Sequence, residues 1–230
     1  MFEITSSWKT TYPDAHAGIL VMHGVDNPAT CPELERRKQD LEEQLRARFT
    51  GQDRKALDAI PTISAYNAYY KQFKKTYHVQ AQLESIAFKG RTIPSVGAVV
   101  TAMFMAEVKN LLLTAGHDLD SLQLPVTLSV AGGDECYTLL RGQDQVLKEG
   151  DMIMADQVDV ISSIVYGPDQ RTQIRPQTRN VLFAVYAPVG ISIEAVQMHL
   201  QDIRDYVQIV SPAASVKALQ VYSAQGAVKP

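Results

Sequence analysis

The sequence predicts an α+β fold: a mixed, largely antiparallel sheet packed with helices around one buried central helix. Three observations carry that prediction. The stretch from Gly90 to Asp120 holds a helical run that is apolar on nearly every side, strand-like segments stand before and after it, and the C-terminal half is rich in glycine-marked turns. The 230 residues suffice to bury a full core. One domain is expected, with strands and helices over 1–80, a core over 81–190 and a helix with a tail over 191–230.

Phe2 to Thr5 alternates in the manner of a short strand, and Ala17 to Val25 reads as a buried strand closed by Gly24 and the Asp26-Asn27-Pro28 turn. Pro32 to Phe49 carries leucines at 34, 41 and 45 among dense mixed charge, which makes an amphipathic helix with one sparse apolar stripe. Gly51 ends it, and a polar stretch leads to Pro61. From Thr62 to Gln80, Tyr66, Tyr69 or Tyr70, Phe73 and Tyr77 recur at helical spacing and are expected to pack inward, with Lys71, Lys74 and Lys75 on the face between. Gln82 to Lys89 is a short helix ended by Gly90. Pro94 suits a first helical turn, so the central helix is expected from Ser95 to about Leu113, followed by a turn that bears His117, Asp118 and Asp120. Met103, Glu107, Asn110 and Thr114 fall at i, i+4, i+7 and i+11, on one narrow face.

Beyond Asp120 the pattern turns strand-like. Pro125 to Val130 and Cys136 to Leu140 flank Gly132-Gly133 and read as an antiparallel hairpin. Strands are expected at Met152 to Asp156, Val158 to Tyr166 and Val181 to Tyr186, with a polar loop from Gly167 to Thr172. Ser192 caps a last helix, and the Ala/Ser-rich tail from Ser211 to Pro230 is expected to lie over the surface.

Composition narrows the function classes. The net charge is −3, so no global basic field draws in nucleic acid, and RNA contact must come from a local patch. Lys71, Lys74 and Lys75, beside tyrosine hydroxyls and His78, form the best phosphate-binding surface, or else an ordinary solvated face. Neither DNA nor a membrane is expected as a partner, since the apolar run is about half of the roughly 20 residues a span needs. Cys31 and Cys136 stand alone and no His/Cys spacing suits a metal, so no metal or cofactor is expected. The first residues lack the apolar core of a signal peptide, which points to the cytoplasm.

Three polar clusters are candidates for chemistry: Glu107 and Asn110 with His117, Asp118 and Asp120; Asp156 at a strand end; and Ser162, Ser163 and Tyr166 with Asp169, Arg171 and Thr172. No nucleophile elbow, zinc-binding His pair, phosphate loop or dinucleotide fingerprint occurs, which removes the common motif-defined enzyme classes. His117 is either a general base or a hydrogen-bonded structural residue. Asp118 and Asp120 either join it or cap a local turn. Asp169 and Arg171 either recognise a carbonyl or phosphate or stabilise their loop as an ion pair.

From about Gln82 to Val185 the chain resembles the editing domain of the phenylalanyl-tRNA synthetase beta subunit, the module made by that subunit's third and fourth domains. The likeness rests on GRTIPSVGAVV, GHDLD, GDMIMADQVDVI and GPDQRTQIRPQTRNVLF, in that order and spacing. It implies a free-standing module, unable to charge tRNA alone, that acts in trans on aminoacylated tRNA and hydrolyses the ester of a wrongly attached amino acid held in a pocket. It also implies the site residues: Asn110, His117 and Asp118 as catalytic candidates, and Glu107, Asp156, Ser163, Asp169, Arg171 and Thr172 around the substrate; the local lysine face of Lys71, Lys74 and Lys75, outside the resembling stretch, is the candidate toward RNA. The chain departs from the family where the synthetase loop carries a glutamate for the tyrosine hydroxyl; the nearest residues here are Asp169, Gln170 and Arg171. The family's histidine also precedes the position of His117. Two other readings stand beside this one: a non-catalytic binder of tRNA or an amino acid, and a small-molecule enzyme that reuses the pocket.

Overall fold

The computed structural model describes residues 2–228. The chain opens with strand β1 (Phe2–Ile4), a one-and-a-half-turn helix α1 (Ser6–Thr11) and the buried strand β2 (His16–His23). Five helices follow: α2 (Pro32–Arg48), α3 (Arg54–Asp58), α4 (Pro61–Gln72), α5 (His78–Ala87) and α6 (Ala98–Asn110). Strand β3 (Leu113–Asp118) leads through a 3-10 turn (Leu119–Ser121) to β4 (Val126–Val130), β5 (Cys136–Thr138), β6 (Asp144–Val146), β7 (Met152–Ala155), β8 (Val160–Ser163) and the two-residue β9 (Gly167–Pro168). The last elements are β10 (Asn180–Ala187), α7 (Ile193–Val210), β11 (Ser215–Ser223) and β12 (Gly226–Ala227).

These strands make two five-stranded sheets and a small two-stranded one. The first sheet runs β1-β4-β7-β8-β9, with β1 parallel to β4 and the other pairs antiparallel. The second runs β12-β11-β2-β10-β3 and is antiparallel throughout. The fold is therefore α+β, with mixed, mainly antiparallel sheets and helices packed on them. Its main core joins Leu20 and Met22 of β2, Phe183 and Val185 of β10, Met105 and Val108 of α6 and Leu200 and Ile203 of α7. No helix among the described residues is long and apolar enough to cross a membrane.

Several expectations are corrected by non-local pairing. The tyrosine-rich stretch is two helices, because the chain breaks at Phe73 and Lys74 adopts a left-handed φ of 56°. The central helix is shorter at both ends. It starts after Gly97, and its first N–H groups go to Asn27 and Pro28 rather than to a local cap: Val99 N–H donates to Asn27 Oδ1 at 3.0 Å and Ala98 N–H to Pro28 O at 2.9 Å. Pro94 lies before the helix, on a loop held by α2 through Glu42, which accepts from Ile93 N–H at 2.8 Å. At the other end Leu111 turns left-handed at φ 60° and the chain becomes strand, so His117 and Asp118 stand on buried β3 rather than in a turn. The Gly132-Gly133 segment does not join a hairpin: β4 pairs with β7, and β5 with β6. The tail is not a surface wrap up to Ser223, since β11 pairs with β2 along its length.

Gly18 shows how closely α7 lies on the second sheet. A Cβ there would stand 2.6 Å from Val196 Cγ1 and 3.1 Å from Leu200 Cδ1. Gly18→Ala forces the helix off the sheet or twists side chains from their rotamers, a cost of about 1–3 kcal/mol. Urea denaturation should show the midpoint falling with the slope unchanged; a neutral result would mean that α7 slides freely on β2.

Candidate functional site

The cleft forms where α6 faces the end of β8. Its walls come from Val100, Met103, Phe104 and Glu107 of α6, the start of β3 from Leu113 to Gly116, Ser163 to Pro168 of the first sheet, Gln173 and Ile174, and Tyr186 of β10. The rim carries His78 and Gln82 of α5 with the exposed Arg141. The cleft measures ≈ 560 Å³, within the usual range for a small-molecule site. A depression of ≈ 650 Å³ beside Lys74, Lys148 and Glu149 has no buried carboxyl or histidine on its wall. The residues at i, i+3, i+4 and i+7 on α6 share one face, and here that face is the wall.

Glu107 is the buried acid of the cleft. It is 2% exposed, and Oε1 accepts the Thr114 N–H at 2.7 Å. Burial pushes its carboxyl up to about 8, against the smaller opposing effect of that N–H. Ser163, also on the wall, donates its hydroxyl to Asp151 Oδ2. Asp151 is fully buried, accepts from Tyr69 Oη–H at 2.7 Å, and is pushed up to about 6 by burial.

Thr114 is oriented from behind. Asn110 Nδ2 donates to Asp202 Oδ2 at 2.8 Å and to His199 Nδ1 at 3.2 Å. His199 therefore carries its proton on Nε2 and donates to Thr114 Oγ1 at 2.7 Å, and the threonine hydrogen is left for the cleft. Asn110 thus meets α7 rather than lining the cleft, because α7 packs against the last turn of α6.

A separate network holds most of the other expected residues. Thr172 Oγ1 donates to Asp169 Oδ1, so at 2.7 Å it accepts from His117 Nδ1–H. His117 is fully buried and its Nε2 has no partner. Asp118 accepts from Thr178 Oγ1–H at 2.6 Å and from Asp120 N–H at 3.0 Å. Asp156 takes a two-pronged bond from Arg171 at 2.9 and 3.0 Å, and its oxygens also accept the N–H groups of Gln123, Val158 and Asp159. The guanidinium in addition donates to Ser121 O at 3.1 Å. His117, Asp118, Asp156, Asp169, Arg171 and Thr172 are thereby brought together as a buried brace between β3 and the loops around it, and none of them lines the cleft. Glu107 and Ser163 do. Lys71, Lys74 and Lys75 are exposed, and Lys75 Nζ sits 5.1 Å over the ring of Tyr166, which places that ammonium by the mouth.

Asp151, Arg141 and His199 were not among the residues expected from sequence. Asp151 follows Lys148, Glu149 and Gly150 and reads locally as one more polar turn residue, so no local signal singles it out.

The fold and the cleft define the class: an α+β protein with an apolar pocket that holds one buried acid and a carboxylate-backed serine. The fold is shared with the crystal structure of an N-terminal fragment of the phenylalanyl-tRNA synthetase beta subunit from Pyrococcus horikoshii, at a TM-score of 0.51 and 11% identity, over 96% of this chain and 51% of that one. The model of the B3/4 domain family matches residues 65–220, more than half of the sequence, and the chain belongs to that family. A stretch of 68 residues is 37% identical to the phenylalanine–tRNA ligase beta subunit of Fusobacterium nucleatum, covering 30% of this chain and 8% of that subunit. The chain thus spans about half of the archaeal fragment and a small part of the bacterial subunit.

The two buried histidines make acid stability measurable. Burial is the main cause that pulls His117 and His199 from 6.5 down to about 3. As the pH falls below 6.5 the unfolded chain binds these protons first, so stability is lost between about 6.5 and 3. Chemical denaturation at pH 7 and pH 5 should show a lower stability at pH 5. His117→Gln should flatten that slope, and an unchanged slope would mean that His117 is protonated in the folded state.

Proposed function

We propose that the cleft is an aminoacyl pocket and that the protein hydrolyses the ester of mischarged aminoacyl-tRNA in trans. One observation carries this reading: Glu107 and the Ser163–Asp151 pair meet in one apolar cleft, whose mouth lies by Lys75 and Arg141. It is supported by membership of the B3/4 family and by the likeness to parts of two phenylalanyl-tRNA synthetase beta subunits. Cations at the mouth suit the phosphates of a terminal nucleotide, and Lys71 and Lys74 extend that surface.

The chemistry needs an activated water and a donor for the oxyanion. Water attacks the ester carbonyl carbon and gives a proton to Ser163 Oγ as the serine proton passes to Asp151. The Thr114 hydroxyl faces the developing oxyanion. Collapse breaks the bond from carbonyl carbon to ribose oxygen, and that oxygen takes a proton back through Ser163. The products are a free amino acid and a tRNA with its terminal hydroxyl restored. Asp151, at about 6, is mostly ionised at pH 7 and so accepts the proton.

Purified protein should deacylate at least one member of a panel of mischarged tRNAs. Ser163→Ala should cut the rate by about 100-fold or more, with binding little changed, and the rate should fall as pH drops below about 6. Asn110→Ala should slow the reaction by freeing His199 and Thr114. Charge reversal at Lys71, Lys74 and Lys75 should weaken tRNA binding and flatten its salt dependence. If no mischarged tRNA is deacylated, the hydrolytic reading falls; salt-sensitive tRNA binding without turnover would then identify a binding module.

A further inference from the structure

Glu107 is a buried carboxyl without a counter-ion. Among the described residues no cation forms an ion pair with it, and the Thr114 N–H is its one hydrogen-bond partner. The groups around it are neutral: Tyr66 and Tyr70 from α4, Tyr77 before α5, and Tyr186 from β10 keep their protons because burial raises each phenol, and His199 on α7 is held neutral behind Thr114. His78 and Arg141 stand at the rim. The walls beside it are apolar, from Val100, Met103, Phe104 and Ile174. A carboxyl so placed gains most from a ligand that brings a positive charge with hydrogens to donate, because their attraction is strong where water is excluded.

Resting on the aminoacyl-pocket reading, we infer that Glu107 is the counter-ion for a primary ammonium group, and that the cleft selects ligands in which such a group is joined to an apolar body. An ester-linked amino acid offers that combination through its α-amino group. Metals and guanidinium groups are less suited, since one carboxyl with a single neighbouring N–H supplies neither a coordination shell nor a second acid. The carboxyl is mainly protonated in the empty cleft at pH 7, as burial holds it near 8. Seating an ammonium therefore expels close to one proton, and affinity rises about tenfold with each unit of pH increase up to about 8.

The test needs neither tRNA nor turnover. Calorimetric titration of the full chain with 2-phenylethylamine, in two buffers of different ionisation enthalpy at pH 7, should show release of about one proton per amine bound. 2-Phenylethanol, of the same shape but uncharged, should bind at least tenfold more weakly. Glu107→Gln should remove that preference and the proton release together. Should the variant fail to fold, the alcohol comparison and the pH series on the unaltered protein decide the matter alone. Equal binding of amine and alcohol, or amine binding without proton release, overturns the inference. Amine binding with no deacylation of any tRNA leaves the inference standing and removes the hydrolytic function; deacylation with no preference for the amine does the reverse.

Discussion

Four buried tyrosine hydroxyls hold the two sheets in place, and the rest of the structure depends on them. Tyr66 donates to Tyr186 O and accepts Leu113 N–H at 2.9 Å, at the register where β3 meets β10. Tyr69 accepts Met152 N–H at 2.7 Å while donating to Asp151, Tyr70 donates to Ile164 O, and Tyr77 donates to Leu111 O at 2.9 Å. One helix and the turn after it thus satisfy buried backbone groups of both sheets and of the α6–β3 corner. Each such group left without a partner costs about 1–3 kcal/mol. Burial raises all four phenols, so none is lost to ionisation near neutral pH. Tyr66 and Tyr77 also stack, with ring centroids 4.1 Å apart, which ties α4 to the turn that leads into α5.

The cleft follows from that arrangement. Tyr66 pins the start of β3, and Glu107 reaches the next residue of the same strand through Thr114 N–H. Tyr69 pins Asp151 in the other sheet, and Asp151 holds Ser163. The acid and the serine therefore stand on regular elements whose backbones are fixed by neighbouring helix residues, a support that suits a preorganised site. His199 and Asn110 do the same for Thr114 from the opposite side. The desolvation that makes Glu107 hard to ionise comes from the same packing that shapes the walls.

Much of this was legible residue by residue. The inward aromatic stripe, the buried helix with Glu107 on its polar face, the Ser192 cap and the strand at Met152 all follow from local periodicity and capping chemistry, and the structure has each of them. Asn110 shows the limit. It falls on nearly the same helical face as Glu107, yet α7 crosses there and takes its amide. Asp156 looks like a site group because it is polar at a strand end, and Arg171 because it stands in a polar loop; in the fold they bond each other and close turns. Asp151 looks like a turn residue, and becomes the partner of Ser163 only because β7 and β8 pair side by side.

By itself the sequence determined the α+β class, the helix or strand character of many segments, which faces are apolar, and the likeness to an editing module through four short ordered stretches. Tertiary structure alone decided that β4 pairs with β7, that the tail enters the second sheet beside β2, and that Glu107 and Ser163 share a cleft while His117, Asp118 and Thr172 brace a strand. The reason is physical. Periodicity and capping report interactions within about one helical turn, whereas strand pairing, burial and the direction of a polar side chain depend on residues brought together from distant parts of the chain.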